Sequence, residues 1–177
     1  MLYVAGFAND SIVDGPGIRF TVFFQGCPHH CPGCQNPETW PFEGGTPYQA
    51  QDLVELARRN PLVHAVTLSG GEPFAQAEEM IPFVQQLRSH GYEVASYTGY
   101  TFEELLDGTP AQKQLLGLLD TLVDGRFEQD QLTLELRFRG SRNQRILNVA
   151  QSLASGKAVE ETAARWVGEP DLAPPVY

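Results

Sequence analysis

The sequence predicts an α/β domain whose mainly parallel sheet curls into a partial, open (β/α) barrel. Three observations carry this expectation. Strand-like runs alternate with helix-like ones, and the unusual sequences sit just after the strands. A closed eightfold barrel takes roughly 250 residues, and this chain has 177. With 42% hydrophobic residues it can bury one core, placing one domain at 1–150 and leaving 151–177 as a peripheral tail with one short helix.

The elements follow in order. Arg19 to Gln25 is apolar, aromatic and β-branched behind Gly15-Pro16-Gly17, which reads as a buried strand. Thr46-Pro47-Tyr48-Gln49 offers a capping threonine and a proline at the first helical position, so a helix to about Asn60 is expected to bury Leu53, Leu56 and Ala57. Val63 to Ser69 is a second strand. Met80, Phe83, Val84 and Leu87 then recur with helical spacing, with Pro82 near the start or at a kink, and Gly91 ends the helix. Glu93 to Tyr97 is a third strand, followed by the capping box Thr101-Phe102-Glu103-Glu104. A leucine-rich segment precedes the strand Thr121 to Val123. Leu132, Leu134, Leu136 and Phe138 alternate with polar residues, predicting a half-exposed strand near a sheet edge. Ala158 to Val167 reads as the tail's helix, with Pro170, Pro174 and Pro175 beyond it.

Charge narrows the function classes. A net charge of −10 and a pI near 4.7 disfavour a general nucleic-acid binder or a polybasic membrane-surface protein, both of which need a positive field. No apolar run is long enough to span a bilayer, and Met1 to Asp10 lacks the basic region of a signal peptide. A cytoplasmic protein with a protein or small-molecule partner is expected.

The chemistry concentrates in Cys27-Pro28-His29-His30-Cys31-Pro32-Gly33-Cys34, which holds all three cysteines. One disulfide among such neighbours would close almost no loop. Thiolates suit zinc and iron–sulfur centres. A four-iron cluster held by three thiolates keeps one iron open for a substrate, whereas a Cys3His zinc site would need His29 or His30 to close a tetrahedron beside its near neighbours. Three further loops, Gly70-Gly71-Glu72, Thr98-Gly99 and Asp124-Gly125-Arg126, also follow strands, so a parallel sheet brings all four to one rim.

These residues resemble a known family. The Cys-x3-Cys-x2-Cys motif after the first recognised strand is similar to that of radical S-adenosylmethionine enzymes. Val13-Asp14-Gly15-Pro16-Gly17-Ile18-Arg19 resembles the activases of glycyl-radical enzymes. Gly33 to Trp40, Ser69-Gly70-Gly71-Glu72-Pro73, Tyr97-Thr98-Gly99-Tyr100, Leu122 to Phe127 and Arg139 to Arg145 resemble the branch that activates anaerobic ribonucleotide reductase. The likeness covers roughly positions 5 to 149. It implies a radical SAM fold and a [4Fe-4S] cluster on Cys27, Cys31 and Cys34, with S-adenosylmethionine on the fourth iron. It further implies the large glycyl-radical subunit as partner and an electron donor such as flavodoxin or ferredoxin.

The resemblance also implies cofactor contacts. Gly70 and Gly71 would let backbone approach the methionine moiety and Glu72 would accept from its ammonium. Gly33, Cys34 and Gln35 would touch the cofactor, although Gln35 stands where an aromatic residue commonly faces the adenine. Thr98 and Asp124 would reach the ribose or methionine, and Arg126 the carboxylate; a loop threonine, a turn aspartate and a surface arginine are the plain alternatives. The basic segment Phe138 to Arg145 would dock the reductase or simply be a solvated turn. Trp40 and Trp166 are expected to pack. The alternatives are an activase of the pyruvate formate-lyase type, a radical enzyme acting on a small molecule, and a non-catalytic iron–sulfur or zinc module.

Overall fold

The computed structural model describes residues 1–168, and it begins with a strand that the sequence patterns did not show. β1 (Leu2–Ser11) runs antiparallel to β2 (Arg19–Phe24), pairing Val4 with Phe24 and Phe7 with Val22. Only Leu2, Val4 and Ser11 of β1 are buried, so it has no continuous apolar run to announce it. β3 (Thr46–Tyr48) covers the outer side of β1. Thr46 and Pro47 therefore belong to an edge strand, where a missing N–H is tolerated, and do not begin the helix. α1 (Ala50–Arg58) starts one turn later, from Gln49, whose N–H donates to the Asp52 carboxylate at 3.3 Å.

β4 (Ala65–Gly70), β5 (Glu93–Tyr97) and β6 (Thr121–Asp124) extend the sheet parallel to β2. α2 (Ala77–Ser89) links β4 to β5, with Pro82 inside the helix. α3 (Phe102–Leu106), capped by Thr101 and Glu104 as predicted, and α4 (Pro110–Gly117) link β5 to β6. β7 (Arg145–Asn148) returns antiparallel to β6 and is followed by α5 (Val149–Ser155) and α6 (Ala164–Val167).

The strand order is β3-β1-β2-β4-β5-β6-β7. The expected mainly parallel sheet is thus corrected to a mixed one. Only the central four strands are linked through α-helices that return the chain in parallel; the flanking strands are reached without a crossover α-helix and pair antiparallel. Leu132 to Phe138 is not a strand either: it lies outside the sheet, with one isolated bridge from Leu132 to Ser141, and Leu134 is 94% exposed. Its alternation is that of a loop.

Adjacent residues of a strand face opposite sides of the sheet. Val94 and Leu122 join the core beneath the helices with Phe20, Val22, Leu68 and Phe83. Ala95 and Val123 join Ile146 and Trp166 on the other face. There the Arg19 guanidinium, fully buried, donates to Thr67 Oγ1 at 2.8 Å and to the Pro16 carbonyl at 3.0 Å, and lies 5.4 Å from the Trp166 ring centroid. Within the described part of the tail, Ser152 and Trp166 are wholly buried. Only Ala164–Val167 of the expected tail helix is helical, since Glu160 pairs with Leu147 as an extended segment. Pro170, Pro174 and Pro175 lie outside the described residues. No helix among the described residues is long and apolar enough to cross a membrane.

Candidate functional site

The ends of β2, β4, β5 and β6 point one way, and the loops that leave them meet. They form a cavity of about 120 Å³, open to solvent, lined by Cys27, Cys31 and Cys34 together with Gly70, Gly71, Thr98, Gly99, Gly125 and Phe127. His29, Thr39, Trp40, Tyr97 and Gln144 complete the wall. The four loops expected to share a rim do so.

The cysteine loop is held from several sides. Gly26 N–H donates to the Thr39 carbonyl at 2.7 Å and Cys27 N–H to that of Trp40 at 3.1 Å. His30 adopts a positive φ of 49° and its ring stacks on Trp40 at 4.8 Å. Asn36 N–H lies 3.4 Å from Cys34 Sγ, while the backbone N–H groups of His29 and His30 stand near Cys27 and that of Phe127 near Cys31. All three thiols are free. Burial pushes the Cys27 and Cys31 thiols above their ordinary pKa, while the same N–H groups act the other way by favouring the thiolate.

This donor set fits an iron–sulfur cluster. N–H donors aimed at sulfur stabilise ligating thiolates. Among the described residues no group of three His, Cys, Asp or Glu converges to hold a single metal ion; a cluster asks for no such convergence, since each thiolate meets its own iron. His29 does not serve as the fourth ligand of a zinc site through Nε2, which is 2.7 Å from the Glu72 carboxylate.

The two glycines after β4 are required by the protein itself. Gly70 has φ +89°, and a Cβ there would stand 2.4 Å from Phe24 N; at Gly71 a Cβ would stand 2.4 Å from the Gly26 carbonyl oxygen. The backbones of the two loops touch, with Gly71 N–H on the Phe24 carbonyl and Glu72 N–H on that of Gly26, each at 2.8 Å. Gly71→Ala is expected to force the Cys loop outward and to lower stability by about 1–3 kcal/mol, as read by urea unfolding.

The residues expected to contact the cofactor are placed as follows. Glu72 does not line the cavity: it is fully buried and both carboxylate oxygens accept from protein donors. Asp124 is also fully buried, accepting from Phe102 N–H at 2.8 Å and from Arg145 Nε at 3.0 Å. A carboxylate so engaged is part of the scaffold. Arg126 is exposed and pairs with Glu104 at 3.3 Å. Gln35 points to a separate depression shared with Ile12, Val13 and Leu134, and Gly33, exposed at φ +78°, lies against Gln129. Thr98 lines the cavity but its hydroxyl donates to Glu72 at 2.9 Å. Of the basic segment, Arg142 pairs with Glu135 and Arg145 with Glu103 and Asp124. His29, Gly99, Gly125 and Gln144 also line the cavity, although the sequence assigned none of them a cofactor contact; Gly99 and Gly125 lie in the loops it placed on the rim.

Comparison with known proteins places this geometry in context. A family model described as a 4Fe-4S single cluster domain matches residues 13–147. The anaerobic ribonucleoside-triphosphate reductase-activating protein of Pasteurella multocida (strain Pm70) is 38% identical over 159 residues, covering 85% of this chain and 99% of that protein. The protein of the same name from Escherichia coli (strain K12) is 38% identical over 141 residues, covering 75% of this chain and 90% of its own. Among solved structures, QueE from Escherichia coli overlaps 56% of this chain and 53% of its own at a TM-score of 0.45 and 18% identity, too partial a likeness to build on.

Proposed function

We propose that this chain, which belongs to the family of anaerobic ribonucleoside-triphosphate reductase-activating proteins and carries a 4Fe-4S single cluster domain, generates a glycyl radical on the large subunit of such a reductase. The observation that carries the reading is the shared cavity: three thiols and the glycine loops of three neighbouring strands face the same space. Cys27, Cys31 and Cys34 would hold a [4Fe-4S] cluster, leaving one iron without a protein ligand and open to S-adenosylmethionine. When bound, the cluster supplies one electron to the sulfonium, releasing methionine and a 5′-deoxyadenosyl radical that takes a hydrogen atom from a glycine Cα.

The chain's own residues position and shield. Gly70, Gly71, Gly99 and Gly125 offer backbone with no side chain in the way. Trp40, Tyr97 and Phe127 supply an apolar wall that limits water beside a reactive radical. No acid–base pair is required. We read the mixed sheet as the arc of an open radical SAM barrel whose parallel strands carry the rim. The physiological reductant is a flavodoxin or ferredoxin, and free thiols suit a cytoplasmic setting.

The test is to reconstitute the protein anaerobically with iron and sulfide, add S-adenosylmethionine, a reductant and an anaerobic ribonucleotide reductase, and record electron paramagnetic resonance. A glycyl radical on the reductase is expected. A radical formed on a formate-lyase and absent from the reductase would overturn the choice of partner.

A further inference from the structure

We propose that His29 and Glu72 form an internal latch that presets the Cys27–Cys34 loop, aiming the Cys27 sulfur into the cavity before iron enters. The proposal rests on the cluster reading above, and it concerns residues that sit behind the metal ligands.

The Glu72 carboxylate ties together three of the four rim loops. It accepts from Phe74 N–H in its own loop at 3.0 Å, from Gly99 N–H at 2.8 Å and the Thr98 hydroxyl at 2.9 Å in the loop after β5, and contacts His29 Nε2 in the cysteine loop at 2.7 Å. An ionised carboxylate only accepts hydrogen bonds, and its burial costs several kcal/mol unless donors surround it. Here they do. The imidazole is the one side-chain donor that comes from the cysteine loop, so Nε2 carries the proton in this pair.

His29 is placed to transmit that restraint. Its side chain is 5% exposed, its ring meets Tyr100 edge-on at 4.6 Å, and a Cβ on Gly99 would stand 2.3 Å from the ring. The ring therefore fits only against a glycine. His29 follows Cys27 by two residues, so fixing the imidazole restrains the backbone beside the first ligand. Cys27 N–H is held by Trp40 on the other side. A loop held at both ends loses less conformational freedom when it takes up a ligand. His29 and Glu72 are positioning residues: neither needs to touch the substrate.

Hydrogen exchange on the cluster-free protein tests this directly. His29→Ala is expected to speed exchange across residues 27–36 by about tenfold, the size of a hydrogen bond to a charged group, and His29→Gln, which keeps an N–H donor, to restore most of the protection. Amides of β4 serve as the control and should not change. In reconstituted protein His29→Ala should lose iron to a chelator faster by a similar factor. Unaltered exchange in His29→Ala would overturn the latch, as would a Glu72→Gln variant that raises KM for S-adenosylmethionine while its loop exchanges normally. If the wild type takes up no cluster, the functional reading fails, and the exchange arm still decides the latch.

Discussion

Replacing Cys27, Cys31 or Cys34 with alanine is expected to remove bound iron and to reduce 5′-deoxyadenosine formation to background in every case. Each thiolate is the sole protein ligand of one iron, so no pair can share the load of the third. No nearby group substitutes: His29 Nε2 is committed to Glu72 and the His30 ring lies on Trp40. The loss should come without unfolding. Cys31 and Cys34 are half-buried, so alanine there costs under about 0.5–1 kcal/mol, and at the buried Cys27 it removes only one sulfur. Iron analysis, nucleoside chromatography and urea unfolding of the metal-free proteins read these separately. His30→Ala should keep its iron, whereas a Cys3His zinc centre closed by His30 would lose its metal. A single-cysteine variant that retained iron and still cleaved S-adenosylmethionine would sink the assignment.

How far the sequence announced this site depends on where each signal lies. Cys27, Cys31 and Cys34 were legible because their chemistry is rare and their spacing dense, and the rim followed from four unusual loops after four strands. The strands on either side were hidden for physical reasons: β1 buries alternate residues only at its start, and β7 has just Ile146 and Leu147 to show. Leu132 to Phe138 imitated a strand because alternation is also what an exposed loop with occasional leucines produces. Carboxylates were the hardest to read. Glu72 and Asp124 stand in loops that reach the cavity, yet their side chains turn inward, and a sequence does not say which buried donors await them. The answer for Glu72 lay in His29, forty-three positions earlier.

Asp124 provides the second large expected effect, on stability. It accepts from Phe102 N–H and from two nitrogens of Arg145, with Nη2 on Oδ2 at 2.6 Å, while Arg145 also reaches Glu103 at 2.7 Å. Asp124→Ala leaves a buried N–H without a partner and leaves the Arg145 guanidinium, 31% exposed, with Glu103 alone; together these should cost about 2 kcal/mol. Asp124→Asn keeps an acceptor for Phe102 and should lose about half of that. If Asp124 instead contacted the ribose of S-adenosylmethionine, Asp124→Asn would raise KM and leave unfolding unchanged. The site would feel the scaffold version too, because Phe127, three residues on, lines the cavity with Cys31. Acid offers an independent check. The hydrogen bond from Arg145 holds the Glu103 carboxyl below its ordinary value of 4.5, so its contribution is full above that value and is lost as pH falls through the lowered folded one. The stability difference between wild type and Glu103→Gln should therefore be present at neutral pH and close in acid. A difference that persisted below the folded pKa would show that Glu103 acts through packing and not through its charge.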